Sequence, residues 1–136
     1  MSEFVDTSVF IRFLTGDDPA KAARSLALFE RAERGEVELV TSESVVAEIV
    51  FVLSSRVTYQ LPRPRVAAAL RPVLMNPGLH IEHKEMMRQA LDRWEGSGID
   101  FEDCLSIEHV RRRLLDAIYS YDRDFDRVPG LRRLEP

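Results

Sequence analysis

The sequence predicts an α/β fold, an α/β/α sandwich around a mainly parallel central sheet. Short apolar runs of strand character alternate with longer segments of helical period along the chain. Clusters of Gly, Pro, Asn and Asp punctuate the boundaries. With 136 residues, 45% of them hydrophobic, the chain reads as one domain, residues 1–136, with a core of its own.

The elements follow in order. Glu3 to Asp6 opens as a short strand, and Thr7 and Ser8 form a turn or cap. Val9, Phe10, Phe13 and Leu14 have helical spacing, ended by Thr15-Gly16. Asp17 or Asp18 caps the next helix, with Pro19 in its first turn. Ala22, Leu26, Phe29 and Ala32 make its inner face, and Gly35 stops it. Val37 to Val40 is a strand, and an apolar helix runs from about Ser44 to Val57. After the connector Gln60–Pro64 comes a helix from about Arg65 to Leu74, in which Pro72 is a candidate break. Asn76-Pro77-Gly78 turns the chain into a strand at Leu79–Glu82. Met86, Met87, Ala90, Leu91 and Trp94 face inward on a helix that ends at Gly96-Ser97-Gly98. Asp100 starts another, which runs to Arg111-Arg112-Arg113. Leu114 to Ser120 reads as a buried strand, Asp122 to Arg127 as a loop anchored by Phe125, and Leu131 to Leu134 as the last strand.

Composition bounds the function. The net charge of −4 argues against a domain that holds nucleic acid by phosphate neutralisation alone. It does not exclude a nuclease with an acidic, metal-filled site. One cysteine, Cys104, cannot form an internal bridge, which fits a reducing cytosol. No signal-peptide pattern or membrane-length apolar run is present, so no membrane role is expected. His80, His83 and His109 lack metal-ligand spacing, and no Gly-rich phosphate loop occurs.

Four acids stand in separate, mostly apolar segments: Asp6, Glu48, Asp103 and Asp122. Carboxylates are seldom placed in core-facing segments unless paired or metal-bound. Asp6 lies at the end of the first strand and Asp122 just past the strand Leu114–Ser120, where parallel sheets gather their sites. Glu48 shares a helix face with Ser44. Asp100 and Asp103 stand three apart at a helix start and face one direction. Helix capping competes as a role for Asp6, Asp100 and Asp103. Asp124 follows Asp122 as an auxiliary. Thr7, Ser8 and Ser120 bring hydroxyls beside the acids to orient them or their waters. Such an all-oxygen set suits Mg²⁺ or Mn²⁺. Brought together, these residues would make a metal-dependent phosphoryl-transfer enzyme, a nuclease. Arg112, Arg113 and Arg123 are candidates to grip a nucleic-acid backbone.

These residues carry a resemblance. Phe4-Val5-Asp6-Thr7-Ser8-Val9-Phe10-Ile11 resembles the opening motif of PIN domains, and Val46-Ala47-Glu48-Ile49 their second acidic motif. Asp100-Phe101-Glu102-Asp103-Cys104-Leu105 resembles the third, and Ser120-Tyr121-Asp122-Arg123-Asp124-Phe125-Asp126 the fourth, with Ser120 where the family commonly has Thr. A compact domain of this type is similar to the toxin of a VapBC toxin–antitoxin pair. The resemblance implies a Mg²⁺- or Mn²⁺-dependent endoribonuclease, cytoplasmic and homodimeric, neutralised by a small VapB-like antitoxin. It implies that Asp6, Glu48, Asp103 and Asp122 are the catalytic metal ligands, with Asp100 and Asp124 auxiliary. The apolar helices around Phe10–Phe29 and Val45–Val57 offer surface for a dimer or antitoxin. The competing classes are an inactive binding module of the same fold and another metal-dependent phosphoesterase or DNA nuclease.

Overall fold

The computed structural model describes residues 2–136. The chain runs β1 (Ser2–Phe4), α1 (Thr7–Thr15), α2 (Pro19–Glu33), β2 (Glu38–Thr41), α3 (Glu43–Ser54), α4 (Arg63–Leu74), β3 (Leu79–Ile81), α5 (Lys84–Gly96), α6 (Phe101–Arg112), β4 (Ala117–Tyr119), a 3-10 turn (Arg123–Arg127) and β5 (Arg132–Leu134). Strands β1, β2 and β3 pair in that order, with Phe4 opposite Val40 and Val40 opposite His80. Strands β4 and β5 form a second ladder, with Ile118 opposite Arg133. Every ladder is parallel, as the strand–helix alternation predicts. The strands lie in two ladders where one sheet was expected.

The end of α6 explains part of that difference. Leu114 N–H donates to Arg111 O at 3.0 Å, and Leu115 N–H donates to Val110 O at 3.0 Å. These are the two closing bonds of a Schellman motif, with Leu114 in the left-handed region at φ 56°. The helix terminus thus consumes residues that looked like strand. Leu114 and Leu115 are exposed, Ala117 and Ile118 half-buried, so the expected buried strand is short and open. The same closure ends α2, where Gly35 takes the left-handed position and was legible as a stop.

Two further expectations change. Helix α4 continues through Pro72, which lies on its exposed side while Ala67, Leu70, Val73 and Leu74 are buried. Burial on the other face outweighs the one backbone bond lost to proline. On α2 the buried residues are Ser25, Phe29 and Ala32, and Leu26 is exposed. The rings of Phe10 and Phe13 on α1 meet Phe29 at 5.2 and 5.1 Å, which turns α2 by about one position.

Sheet and helices close around one apolar cluster that includes Leu39, Val46, Ile49, Leu53, Leu70, Leu79, Met87, Leu91 and Ile107. Gly78, just before β3, shows how tightly the chain passes α2. A Cβ there would stand 2.1 Å from Ala32 O. Helices α5 and α6 pack side by side, joined by a bond from Arg93 Nε to the buried carboxylate of Glu108 at 2.9 Å.

An exposed network ties α1 to the α3–α4 connector. Asp17 accepts from Tyr59 Oη at 2.5 Å and from Arg12 Nη1 at 2.8 Å. The Tyr59 bond first, then Arg12, holds the Asp17 carboxyl down at about 2. A carboxyl lowered on folding favours the folded state at pH above its ordinary value, and that contribution fades as pH falls toward 2. The expected result is an Asp17 carbon-13 titration midpoint near 2 by NMR, rising toward the ordinary range in Tyr59→Phe. A midpoint near the ordinary value in the native protein contradicts the network.

Candidate active site

Asp6 follows β1 and occupies the N-cap position of α1 with an extended backbone, yet its side chain makes no cap bond. Asp100 stands at the same position before α6, again with no side-chain cap bond. Capping therefore leaves both carboxylates available. The next residue after Asp6 is the buried Thr7, whose Oγ1 donates to Glu48 Oε2 at 2.6 Å. That bond joins the first and second acidic segments across 41 positions. Glu48 sits on the exposed stripe of α3, opposite the buried Val45, Val46, Ile49, Val50 and Leu53. Its segment is apolar because α3 packs on one face; Glu48 itself faces outward, which corrects the core-facing expectation. Asp6 and Asp122 are exposed too, and Asp103 is half-buried.

The start of α6 is held from behind. Arg63 Nη1 lies at 2.6 Å from Ile99 O, 2.8 Å from Trp94 O and 3.0 Å from Ser97 O. Its guanidinium also stacks over the Trp94 ring, 4.8 Å from the centroid. One arginine thereby fixes the loop that delivers Asp100 and, a turn later, Asp103. Arg127, from the 3-10 turn, reaches the same loop at Gly98.

Asp122 is placed by a chain of local bonds. Its N–H donates to Ser120 Oγ at 3.0 Å, and its Oδ1 accepts from Asp124 N–H at 2.9 Å. Arg133 braces this turn through Ser120 O at 3.0 Å and Asp126 at 2.9 Å. Ser120 thus shapes the turn that presents Asp122.

The third and fourth acidic segments meet at Asp103. Its carboxyl is raised above the ordinary value, by burial first and then by the charges of Asp122, Asp100 and Asp124. Asp6 and Glu48 come from the first and second acidic segments. They form the other half of the arrangement, on the neighbouring α1 and α3. Helices α3 and α6 pack together, tied where His109 Nε2 meets Glu43 Oε1 at 2.9 Å. Among the described residues, no three His, Cys, Asp or Glu side chains already converge at ion-holding distance. The donor chemistry nevertheless fits a hard divalent cation. The acids offer oxygen only, and their crowding around Asp103 is the repulsion such a cation relieves.

The remaining candidates separate clearly. Ser8 lines a cleft between α1 and α2 with Arg12, Lys21 and Arg24, so Thr7 makes the hydroxyl contact nearest the acids. Arg112 and Arg113 stand at the far end of α6, roughly 13–15 Å along the axis from Asp103. Arg113 bonds His109 there at 2.9 Å, and Arg112 lies beside Glu85 and Glu108. Arg123 is exposed and adjoins Asp122. Cys104 is buried, and burial pushes its thiol up to about 11, as befits a packing residue. Arg63 was missed by sequence reasoning. An Arg just after a proline reads as connector, and nothing local announces three carbonyls more than 30 positions away.

The chain is an α/β domain with parallel strands, and Asp6 and Asp100 stand at helix starts. Residues 4–131 match the PIN domain family, and the chain belongs to that family. It is 23% identical over 134 residues to a VapC ribonuclease of Aquifex aeolicus (strain VF5), covering 98% of this chain and 96% of that one. Among solved structures it is similar to VapC20 of Mycobacterium tuberculosis, described as a sarcin-ricin loop cleaving toxin. The identity is 21% and the TM-score 0.40, over 91% of this chain and 92% of that one. It is also similar to VapBC2 from Rickettsia felis bound to a promoter DNA fragment, at 15% identity and TM-score 0.38, over 99% and 98% of the two chains.

Proposed function

We propose that this chain is a VapC-type endoribonuclease, the toxin of a type II toxin–antitoxin pair, which hydrolyses RNA phosphodiesters with Mg²⁺ or Mn²⁺ held by carboxylates. The observation that supports it most is the PIN-domain match over residues 4–131, beside the charges of Asp122, Asp100 and Asp124 that bear on Asp103. Asp103, Asp122, Asp6 and Glu48 would hold the metal, with Asp100 and Asp124 beside them. When bound, the cation supplies an activated water at neutral pH and offsets charge on the phosphate. The protein's own residues do the rest. Thr7 fixes the direction of Glu48, the Ser120 turn presents Asp122, and Arg63 holds the start of α6 in register. Arg123, exposed beside Asp122, would contact the RNA backbone. Attack by water leaves no covalent link to the enzyme.

The proposal includes a homodimer and a VapB-like antitoxin. An apolar groove of about 510 Å³ between α2 and α4, lined by Leu26, Ala68, Ala69 and Met75, offers surface for one of them. No helix among the described residues is long and apolar enough to cross a membrane. The test compares single-stranded RNA, single-stranded DNA and a small phosphate ester as substrates in Mn²⁺. Cleavage of RNA with little action on the others is expected. Preference for DNA or for the small ester would move the chain to another metal-dependent phosphoesterase activity, and no cleavage at all would favour a binding module.

A further inference from the structure

We propose that the cavity between α3 and α6 is a nucleobase subsite, with Phe51 as its stacking platform and Arg56 as its phosphate contact. The inference rests on the RNA-cleaving reading and says where the nucleotide next to the cut is held. Helices α3 and α6 run antiparallel, since Glu43 near the start of α3 bonds His109 near the end of α6. The C-terminal half of α3 therefore faces the N-terminal end of α6. Between them opens a cavity of about 660 Å³. That is within the size range of sites that hold one small ligand.

The cavity is sided. Asp100 and Asp103 close one wall, and Phe51, Ser55, Arg56 and Leu61 contribute to the other. Glu48, Phe51 and Ser55 are spaced i, i+3 and i+7, so they share one stripe of α3. Phe51 thus stands one turn from Glu48, roughly 5–6 Å along the surface. Phe51 is 66% exposed, although α3 buries Val45, Val46, Ile49, Val50 and Leu53. Arg56 lines the cavity, is exposed, and has no ion-pair partner among the described residues. An exposed aromatic beside an unpaired guanidinium is how single-stranded nucleic acid is commonly gripped: bases stack and phosphates pair. With a cation at Asp103 to hold the phosphate, the neighbouring base would fall into this cavity. The acids on the facing wall disfavour an acidic peptide. A second copy of the chain is the competing occupant, and the test separates the two.

Steady-state cleavage of a mixed-sequence single-stranded RNA in Mn²⁺ is measured for wild type, Phe51→Ala, Phe51→Tyr and Arg56→Gln, with molecular mass by light scattering. Phe51→Ala should raise KM about 10- to 100-fold, the loss of one base–aromatic stack, with kcat within about 3-fold. Phe51→Tyr should restore the wild-type KM, and Arg56→Gln should raise KM and flatten its salt dependence. A purely structural role for Phe51 would not give that split with rescue by tyrosine. The proposal is overturned if Phe51→Ala leaves KM unchanged while wild type cleaves RNA. It is also overturned if Phe51→Ala lowers the mass with KM unchanged, which assigns the ring to an interface between copies. A wild-type protein that cleaves no RNA overturns the functional reading itself and this inference with it.

Discussion

Asp103→Asn is expected to reduce metal-dependent RNA cleavage by at least about 100-fold while the fold survives. The third and fourth acidic segments meet at Asp103, where burial and the charges of Asp122, Asp100 and Asp124 raise its carboxyl. Asparagine keeps the shape and one oxygen but removes the charge that a divalent cation needs. Loss of that charge also relieves repulsion in the metal-free protein. Its thermal midpoint should therefore stay the same or rise by a few degrees, on the order of the shift for 1 kcal/mol. Adding Mn²⁺ should raise the midpoint of wild type more than that of the variant. Activity and stability move in opposite directions, which a general packing defect cannot reproduce. A variant that cuts as well as wild type contradicts the ligand assignment.

The second large effect is on stability. Arg93→Met removes the partner of Glu108, a residue only 6% exposed between α5 and α6. Leaving a buried charge uncompensated costs about 3–5 kcal/mol. For a domain of this size that is a fall of roughly 10–15 °C in the thermal midpoint. Replacing both residues, Arg93→Met with Glu108→Leu, should recover most of the loss, because the pair itself adds little over good apolar packing. Calorimetry of the two variants checks this. Equal instability of the single and double variants would show that the arginine stem, and not the charge pair, is what the interface requires.

Much of this fold is legible in the sequence because its signals are local. Gly16 and Gly35 stop α1 and α2, Asp18-Pro19 starts α2, and Asn76-Pro77-Gly78 turns into β3. The parallel ladders follow from the alternation of strands with helices. What was illegible depends on partners far along the chain. Leu114 ends α6 in a conformation that glycine usually takes, so the residue type hides the helix end. Pro72 reads as a breaker because the burial that outweighs it lies on the opposite face of α4. Leu26 and Ser25 exchange places because Phe10 and Phe13 draw Phe29 toward α1.

The candidate site divides in the same way. The order of the acids identifies the segments, and their positions at helix starts follow from capping signals. Sequence alone leaves Asp6 and Asp100 in competition with helix capping, and the structure leaves both side chains uncapped. It also replaces Ser8 by Thr7 as the hydroxyl in contact, through a bond that spans 41 positions. Arg112 and Arg113 looked useful because basic residues cluster there, but the axis of α6 carries them away from Asp103.

The central claim is that these carboxylates act by holding a divalent cation against an RNA phosphodiester. Titration of Mn²⁺ into EDTA-stripped protein, read as cleavage of a labelled single-stranded RNA, tests it most directly. No cleavage before metal, saturable cleavage after it, and loss of that response in Asp103→Asn are the results expected. Equal cleavage in EDTA, or an unchanged metal response in Asp103→Asn, would contradict it.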